Sequence, residues 1–204
     1  MMTQKWDERY QEVGFAYGAG PNLFFERWLK TAIPGQILMP ADGEGRNGVY
    51  AAEQGWQVTS CDLSEAGRTK ALQLAKDRKV SLNYMVGDLQ NLSFEKNSFD
   101  AIGLIYAHFP ASIKSAMHKK LDQTLKPGGL IIFEAFSKTH LELRMKNPKV
   151  GGPKDLESLF SKEEVASDFA NYKPLYFHEE LVLLSEGKYH NGQGSVIRFV
   201  GIKQ

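Results

Sequence analysis

Three glycines, Gly43, Gly45 and Gly48, fall within PADGEGRNG (residues 40–48), directly after the apolar run QILM. Without Cβ atoms, such a turn lets a ligand reach main-chain N–H groups, and the helix expected after it offers unpaired donors in its first turn. Taken literally, Gly43-x-Gly45-x-x-Gly48 is the spacing that cradles a dinucleotide pyrophosphate, with Asp62 about 20 residues on to accept from ribose hydroxyls. Two carboxylates argue against a diphosphate. Asp42 and Glu44 stand among the glycines, and like unit charges ~4 Å apart repel by ~4 kcal/mol at an effective dielectric near 20. A phosphate-free adenosine ligand carrying positive charge meets no such repulsion. Arg46, next along, has two readings: contact with a ligand carboxylate, or pairing with Glu44.

Other side chains have chemistry with a plain alternative beside it. Asp62 and Asp88 each follow a strand-like run, where Asp also serves as a cap of the next turn or helix. His108, in YAHFP, falls past the fourth strand at the carboxyl edge where open α/β sheets bind ligands. There it would touch a substrate or act as a base near its ordinary pKa of about 6.5, unless it is simply a solvent-facing loop histidine. Tyr17, between Ala16 and Gly18 and ahead of Pro21, is a lid candidate. Phe24, Phe25, Trp28 and Leu29 have the spacing of a helix face buried on a sheet. Tyr189 and His190 fall in the last expected turn and are candidates for substrate contact.

The elements that must position these groups follow from alternating periods. Strands are predicted at 36–39, 57–61, 81–86, 101–106 and 130–136, with helices at 46–54, 64–79 and 111–125, the alternation of a parallel sheet wrapped by helices. Ile113, Met117, Leu121 and Leu125 share one face of the last helix, and Pro127-Gly128-Gly129 is expected to end it. Residues 137–160 carry Lys138, His140, Arg144, Lys146 and Lys149 without apolar period, which predicts a solvated surface excursion or lid. Ser161 with Glu164 makes a capping box. The runs PLYFHEELVLLSEG and SVIRFVGIK, joined by KYHNGQG, predict a closing antiparallel hairpin.

Composition narrows the function classes. The 204 residues suit one domain (1–204, with 1–33 as an N-terminal cap), and 42% hydrophobic with 24% charged residues excludes a disordered chain. A net charge of +1 gives no polyanion-binding surface, so nucleic acid is not an expected partner. No apolar run approaches the roughly 18–20 residues of a membrane span, and MMTQKWDERY has no signal-peptide core, so the expectation is a cytoplasmic protein without a membrane partner. Cys61 is the only cysteine. It has no disulfide partner, and nothing around it suggests a metal site. No sequence feature specifies an oligomeric state.

S-adenosylmethionine has an adenosine, an ammonium, a sulfonium and no phosphate, which is the ligand chemistry the glycine loop asks for. The segment ILMPADGEGRNGVYAAEQGWQVTSCDLS, then VGDLQNLSF, SFDAIGLIYAHFP and LKPGGLIIFEAF, resembles in order the motifs of class I S-adenosylmethionine-dependent methyltransferases. WDERY, YGAGPN and GEGRN most resemble the tellurite-resistance and thiopurine-type branch. The resemblance implies a Rossmann-like, mostly parallel seven-stranded sheet with helices on both faces and a C-terminal antiparallel hairpin. It carries Gly43 and Gly45 over to the methionine end of the cofactor, Asp62 to the ribose, and Asp88 with Leu89 to the adenine; Asp42, Glu44, Arg46, Leu63 and Tyr106 are further cofactor-binding candidates beside them. His108 and Tyr17 are then the candidates on the catalytic side. The pattern departs at Met39 and Ala41, where the family carries an acid that helps hold the ammonium and a glycine; Asp42 is the neighbouring substitute. The sulfonium methyl is already electrophilic, so the protein's task is alignment and water exclusion. The expected partner is a small-molecule methyl acceptor such as a thiol or metalloid oxyanion, which as an anion needs no base. A non-catalytic S-adenosylmethionine binder and a nicotinamide-dependent oxidoreductase remain as alternatives.

Overall fold

Strand β1 (Gln36–Pro40) is buried from Ile37 onward, the mark of a strand covered on both faces, and it stands third of seven across the sheet. The computed structural model describes residues 2–204. Helices α1 (Met2–Tyr10) and α2 (Leu23–Leu29) precede β1; α3 (Arg46–Glu53), β2 (Gln57–Asp62), α4 (Glu65–Asp77), β3 (Asn83–Val86) and β4 (Phe99–Ile105) follow it. The chain continues through α5 (Lys114–Asp122), β5 (Leu125–Phe136), α6 (His140–Lys146), α7 (Lys162–Asp168), β6 (Tyr172–Glu186) and β7 (His190–Lys203). Sheet order is β3-β2-β1-β4-β5-β7-β6. The pairs from β3 to β5 are parallel and those of β7 antiparallel, so the Rossmann-like sheet with its closing hairpin is as expected. Strand order reverses between β1 and β4, which opens a crevice at their carboxyl ends.

Each face of the sheet packs its own apolar set. Phe24, Phe25 and Leu29 of α2 meet Ile37, Met39, Tyr50 and Ile132 on one face. Met117 and Leu121 of α5, with Val165 of α7 and Phe169 just past it, meet Leu38, Ile102 and Phe133 on the other. Asp7 of α1 caps α4 by accepting from Ser64 Oγ (2.5 Å) and the Ala66 N–H (3.2 Å).

Three expectations are corrected. The helix predicted to 125 ends at Asp122, because the Gln123 and Thr124 carbonyls already accept from Asn97, Ser98 and Phe99 and Leu125 pairs with Phe99 in the sheet. Residues 137–160 are not a solvated loop. They form α6 and two 3-10 turns (Pro148–Val150, Leu156–Ser158), anchored by fully buried His140, Val150, Leu159 and Phe160. These anchors are too widely spaced to register as a period. Residues 190–194 belong to β7, not to a turn, with Asn191 paired to Ser185 and Gly194 to Val182; their Gly and Asn content imitates a turn. The capping box forms as predicted, Ser161 Oγ accepting from the Glu164 N–H and Glu164 Oε2 from the Ser161 N–H.

Candidate functional site

After β1 the chain turns through left-handed residues to begin α3: Ala41 (φ 54°), Gly43 (φ 54°) and Gly45 (φ 80°). The bare backbone is used first by the protein's own packing. A Cβ on Gly43 would lie 2.5 Å from the Tyr10 hydroxyl, and one on Gly45 2.5 Å from the Ala71 Cβ, so α1 closes over one glycine and α4 over the other. Ala41 alone among the three carries a Cβ into a left-handed conformation, which costs ~1–2 kcal/mol. Offset by the backbone entropy of glycine, Ala41→Gly is expected to stabilise the protein by about 0.5–1 kcal/mol, read from the midpoint of urea unfolding; a destabilised variant would mean the methyl packs favourably.

The structure corrects the expectation that Asp42 and Glu44 both turn toward a cationic ligand. Asp42 is buried under the loop, where Oδ2 accepts from Ser60 Oγ (2.7 Å) and Oδ1 from the Gly48 N–H (3.3 Å); burial pushes its pKa up to about 7. Glu44 Oε1 pairs with Lys70 (2.8 Å) and Oε2 accepts from the Ala16 N–H (2.7 Å), which fastens the N-terminal segment. Asp62 sits at the end of β2 beside the turn, Oδ2 accepting from the Gly43 N–H and Oδ1 from the Ser64 N–H, both at 3.0 Å. Burial raises its pKa to about 6. Leu63 beside it is half-buried. Asp88 caps its own turn through the Gln90 N–H (2.9 Å), and Leu89 is buried in the core.

Arg46 pairs with neither a loop acid nor Lys70's partner: its guanidinium donates to Glu186 Oε2 (3.0 Å) and to the Tyr17 carbonyl (3.2 Å). It lines a cleft of about 270 Å³ together with Tyr17, Asn22, Tyr106, Glu134 and Arg198. Asn22 Nδ2 bridges Glu134 Oε1 (2.8 Å) and Glu186 Oε1 (3.2 Å). Arg198 Nε donates to Glu134 Oε2 (2.5 Å) and Nη1 to Glu180 (2.8 Å). Burial alone would raise the Glu186 carboxyl, but the His190 hydrogen bond (2.9 Å) and the Arg46 guanidinium outweigh it and hold the pKa at about 2. Tyr106 is left-handed (φ 54°) and stacked on Phe136 at 4.7 Å. Its buried hydroxyl has no partner among the described residues, and burial raises its pKa well above the usual value. Asn22, Glu134, Glu186 and Arg198 were not singled out by sequence; the available signal was an ionisable residue inside each apolar strand, Glu134 in LIIFEAF and Arg198 in SVIRFVG.

His108 is not placed as a base. The Phe136 N–H donates to Nε2 (3.2 Å), which leaves Nδ1–H to donate to the Ser158 carbonyl (2.9 Å). Both nitrogens brace the chain, and burial pushes the pKa down to about 4. Tyr17 does lie at the cleft, its hydroxyl accepting from Arg9 (2.8 Å) and its ring 4.5 Å from that of His190. His190 is buried behind Glu186, and Tyr189 turns out to bond Glu12. Among the described residues no three His, Cys, Asp or Glu side chains form a metal-holding group, and no helix is long and apolar enough to cross a membrane.

Residues 37–129 match a family described as a methyltransferase domain. Demethylmenaquinone methyltransferase from Beutenbergia cavernae is 31% identical over 133 residues, covering 63% of this chain and 54% of the relative; the chain thus spans about half the length of the curated relatives it matches. Among solved structures, one reported as "Conversion of a Disulfide Bond into a Thioacetal Group during Echinomycin Biosynthesis" superposes with a TM-score of 0.79 at 17% identity, covering 100% of this chain and 93% of the other. Magnesium protoporphyrin IX methyltransferase (ChlM) from Synechocystis PCC 6803 with bound SAH gives 0.66 at 15% identity, covering 100% and 84%. The chain has the Rossmann-like fold of these structures.

Proposed function

We propose that this chain is an S-adenosylmethionine-dependent methyltransferase acting on a small molecule. The reading is carried by one observation: a glycine turn at the β1/β4 switch point, with Asp62 against it, inside the span that matches a methyltransferase domain. The residues fit the cofactor in chemistry, since a paired cation and anion, Arg46 and Glu186, line one cleft. The turn at Gly43 and Gly45, packed on Tyr10 and Ala71, would set the path of the loop, Asp62 and Leu63 would meet the ribose, and Asp88 and Leu89 the adenine. When bound, the cofactor supplies an electrophilic methyl group. The chain's own part is to orient and to exclude water: α1 covers the turn through Tyr10, and Tyr17 covers the cleft.

Of the two acceptors expected, the cleft favours a thiol over a metalloid oxyanion, because Glu134 and Glu186 line it beside Arg46 and Arg198 and leave it no net positive charge. No histidine of the site offers a free base, which suits an acceptor that ionises on its own. Calorimetry is expected to show binding of S-adenosylmethionine and not of NAD or NADP. Asp62→Asn should lower that affinity about 10–100-fold, the worth of a charge-assisted hydrogen bond. Incubation with the cofactor and a thiol panel, followed by mass spectrometry, should yield S-adenosylhomocysteine. Binding of a nicotinamide dinucleotide alone would replace this reading with a dehydrogenase, and cofactor binding without turnover on any acceptor pool would reduce it to a binding module.

A further inference from the structure

We propose that Glu186 and Arg46 together hold the amino-acid end of the cofactor, so that the β6–β7 hairpin supplies an anionic contact that the first strand lacks. This rests on the methyltransferase reading and extends it to a part of the chain outside the matched span of 37–129.

Elimination leads to Glu186. Position 39 holds no acid: Met39 is 1% exposed within the α2 face of the core, and a Cβ on Gly103 would sit 2.6 Å from its sulfur, so no room or charge remains there. Asp42 is used by Ser60 and Gly48, and Glu44 by Lys70 and Ala16. Glu134 is 1% exposed with one oxygen on Asn22 and the other on Arg198. Glu186 differs from all of these. It lines the cleft beside Arg46: its Oε2 accepts from Arg46 (3.0 Å) and from His190 Nδ1–H (2.9 Å), and its Oε1 is engaged only by a 3.2 Å contact from Asn22.

The partner is equally specific. Arg46 opens α3 immediately after Gly45 and lines the same cleft. Of the five N–H donors of a guanidinium, two are used, one by the Tyr17 carbonyl and one by Glu186, so three remain. An α-amino acid carries an ammonium and a carboxylate two bonds apart; a carboxylate and a guanidinium side by side at 3.0 Å are its complement. The hairpin reaches this position because its tip packs on the N-terminal segment: a Cβ on Gly187 would lie 2.4 Å from the Gly18 nitrogen, and the Lys188 N–H donates to the Ala16 carbonyl at 2.8 Å.

The test compares S-adenosylhomocysteine with 5′-methylthioadenosine, the same nucleoside thioether without the amino-acid end, by calorimetry. Glu186→Gln, which keeps the shape of the side chain, is expected to weaken S-adenosylhomocysteine about 10–30-fold and to leave methylthioadenosine within about twofold of wild type. Equal loss for both ligands, or no loss for either, overturns the assignment. Glu179→Gln breaks another hairpin carboxylate's contact, the one with Thr139 Oγ1 (2.7 Å) outside the cleft lining, and should change neither affinity; if it reproduces the selective loss, the effect is hairpin loosening and the assignment falls. Should Glu186→Gln fail to fold, wild type alone decides: N-acetylated S-adenosylhomocysteine, which lacks the ammonium, must bind at least 10-fold more weakly than the parent, and equal affinity overturns the proposal. A wild-type protein that binds neither nucleoside defeats the methyltransferase reading itself, whereas a wild type that binds both with an indifferent Glu186→Gln defeats only this inference.

Discussion

Arg198→Ala is expected to lower the unfolding free energy by about 3–5 kcal/mol, the cost of leaving one member of a buried ion pair alone. Glu134 is 1% exposed, and Arg198 Nε contacts its Oε2 at 2.5 Å. Asn22 remains on the other oxygen, but an amide cannot neutralise a carboxylate. The guanidinium also lies 4.8 Å from the Phe24 ring centroid, so truncation removes packing on α2 as well. The double variant Glu134→Leu/Arg198→Leu removes the charge along with its partner and should recover most of the loss, because replacing a buried pair by apolar side chains is often near neutral. Urea unfolding of the two variants checks both statements. A cost below about 1 kcal/mol for the single change would mean that the pair does not hold β5, β7 and α2 together.

That pair also shows where sequence reading stops. Parallel strands buried on both faces read as continuous apolar runs, so β1, β4 and β5 were legible as runs, and the alternation with helical segments gave their parallel order. The glycine turn and Asp62 were legible because a motif of close-spaced residues carries its own geometry. Glu134 and Arg198 meet only through the antiparallel register that sets position 134 opposite 198, and Asn22 reaches Glu134 across 112 positions of chain. No local pattern encodes such meetings. The same limit applies to the loop carboxylates. Their types were read correctly as unusual beside glycines, but whether they face a ligand or the interior depends on Ser60 and Lys70, which come from β2 and α4. His108 was misplaced for a related reason: the segment that bonds it, around Ser158, returns to the sheet 50 residues later.

Asp42→Asn is expected to stabilise the protein by about 2–4 kcal/mol at pH 8 and to have almost no effect at pH 4. The folded-state pKa of about 7 lies above the ordinary 3.8 because burial penalises the charged form. A carboxyl raised in this way contributes stability that is fully present below its unfolded pKa and is lost as pH rises through the folded value. The difference of about 3 pKa units corresponds to ~4 kcal/mol at most, present as a cost of ionisation once the pH exceeds 7. Asparagine carries no charge, still accepts from the Gly48 N–H and can donate to Ser60 Oγ, so it removes the cost and keeps the shape. His108 and His140 act in the opposite sense. Burial lowers both from 6.5 to about 4, and His140 Nδ1 must stay unprotonated to accept from the Ser195 N–H. Their contribution is therefore present above pH 6.5 and is lost as pH falls toward 4. In wild type the acid loss of the histidines is masked by the gain from protonating Asp42 and Asp62. Asp42→Asn removes part of that gain, so its unfolding free energy should fall more steeply than wild type between pH 7 and pH 4. Urea melts of both proteins at pH 8, 6 and 4 measure the difference directly. A constant offset across the three values would place the Asp42 carboxyl at an ordinary pKa and in contact with water.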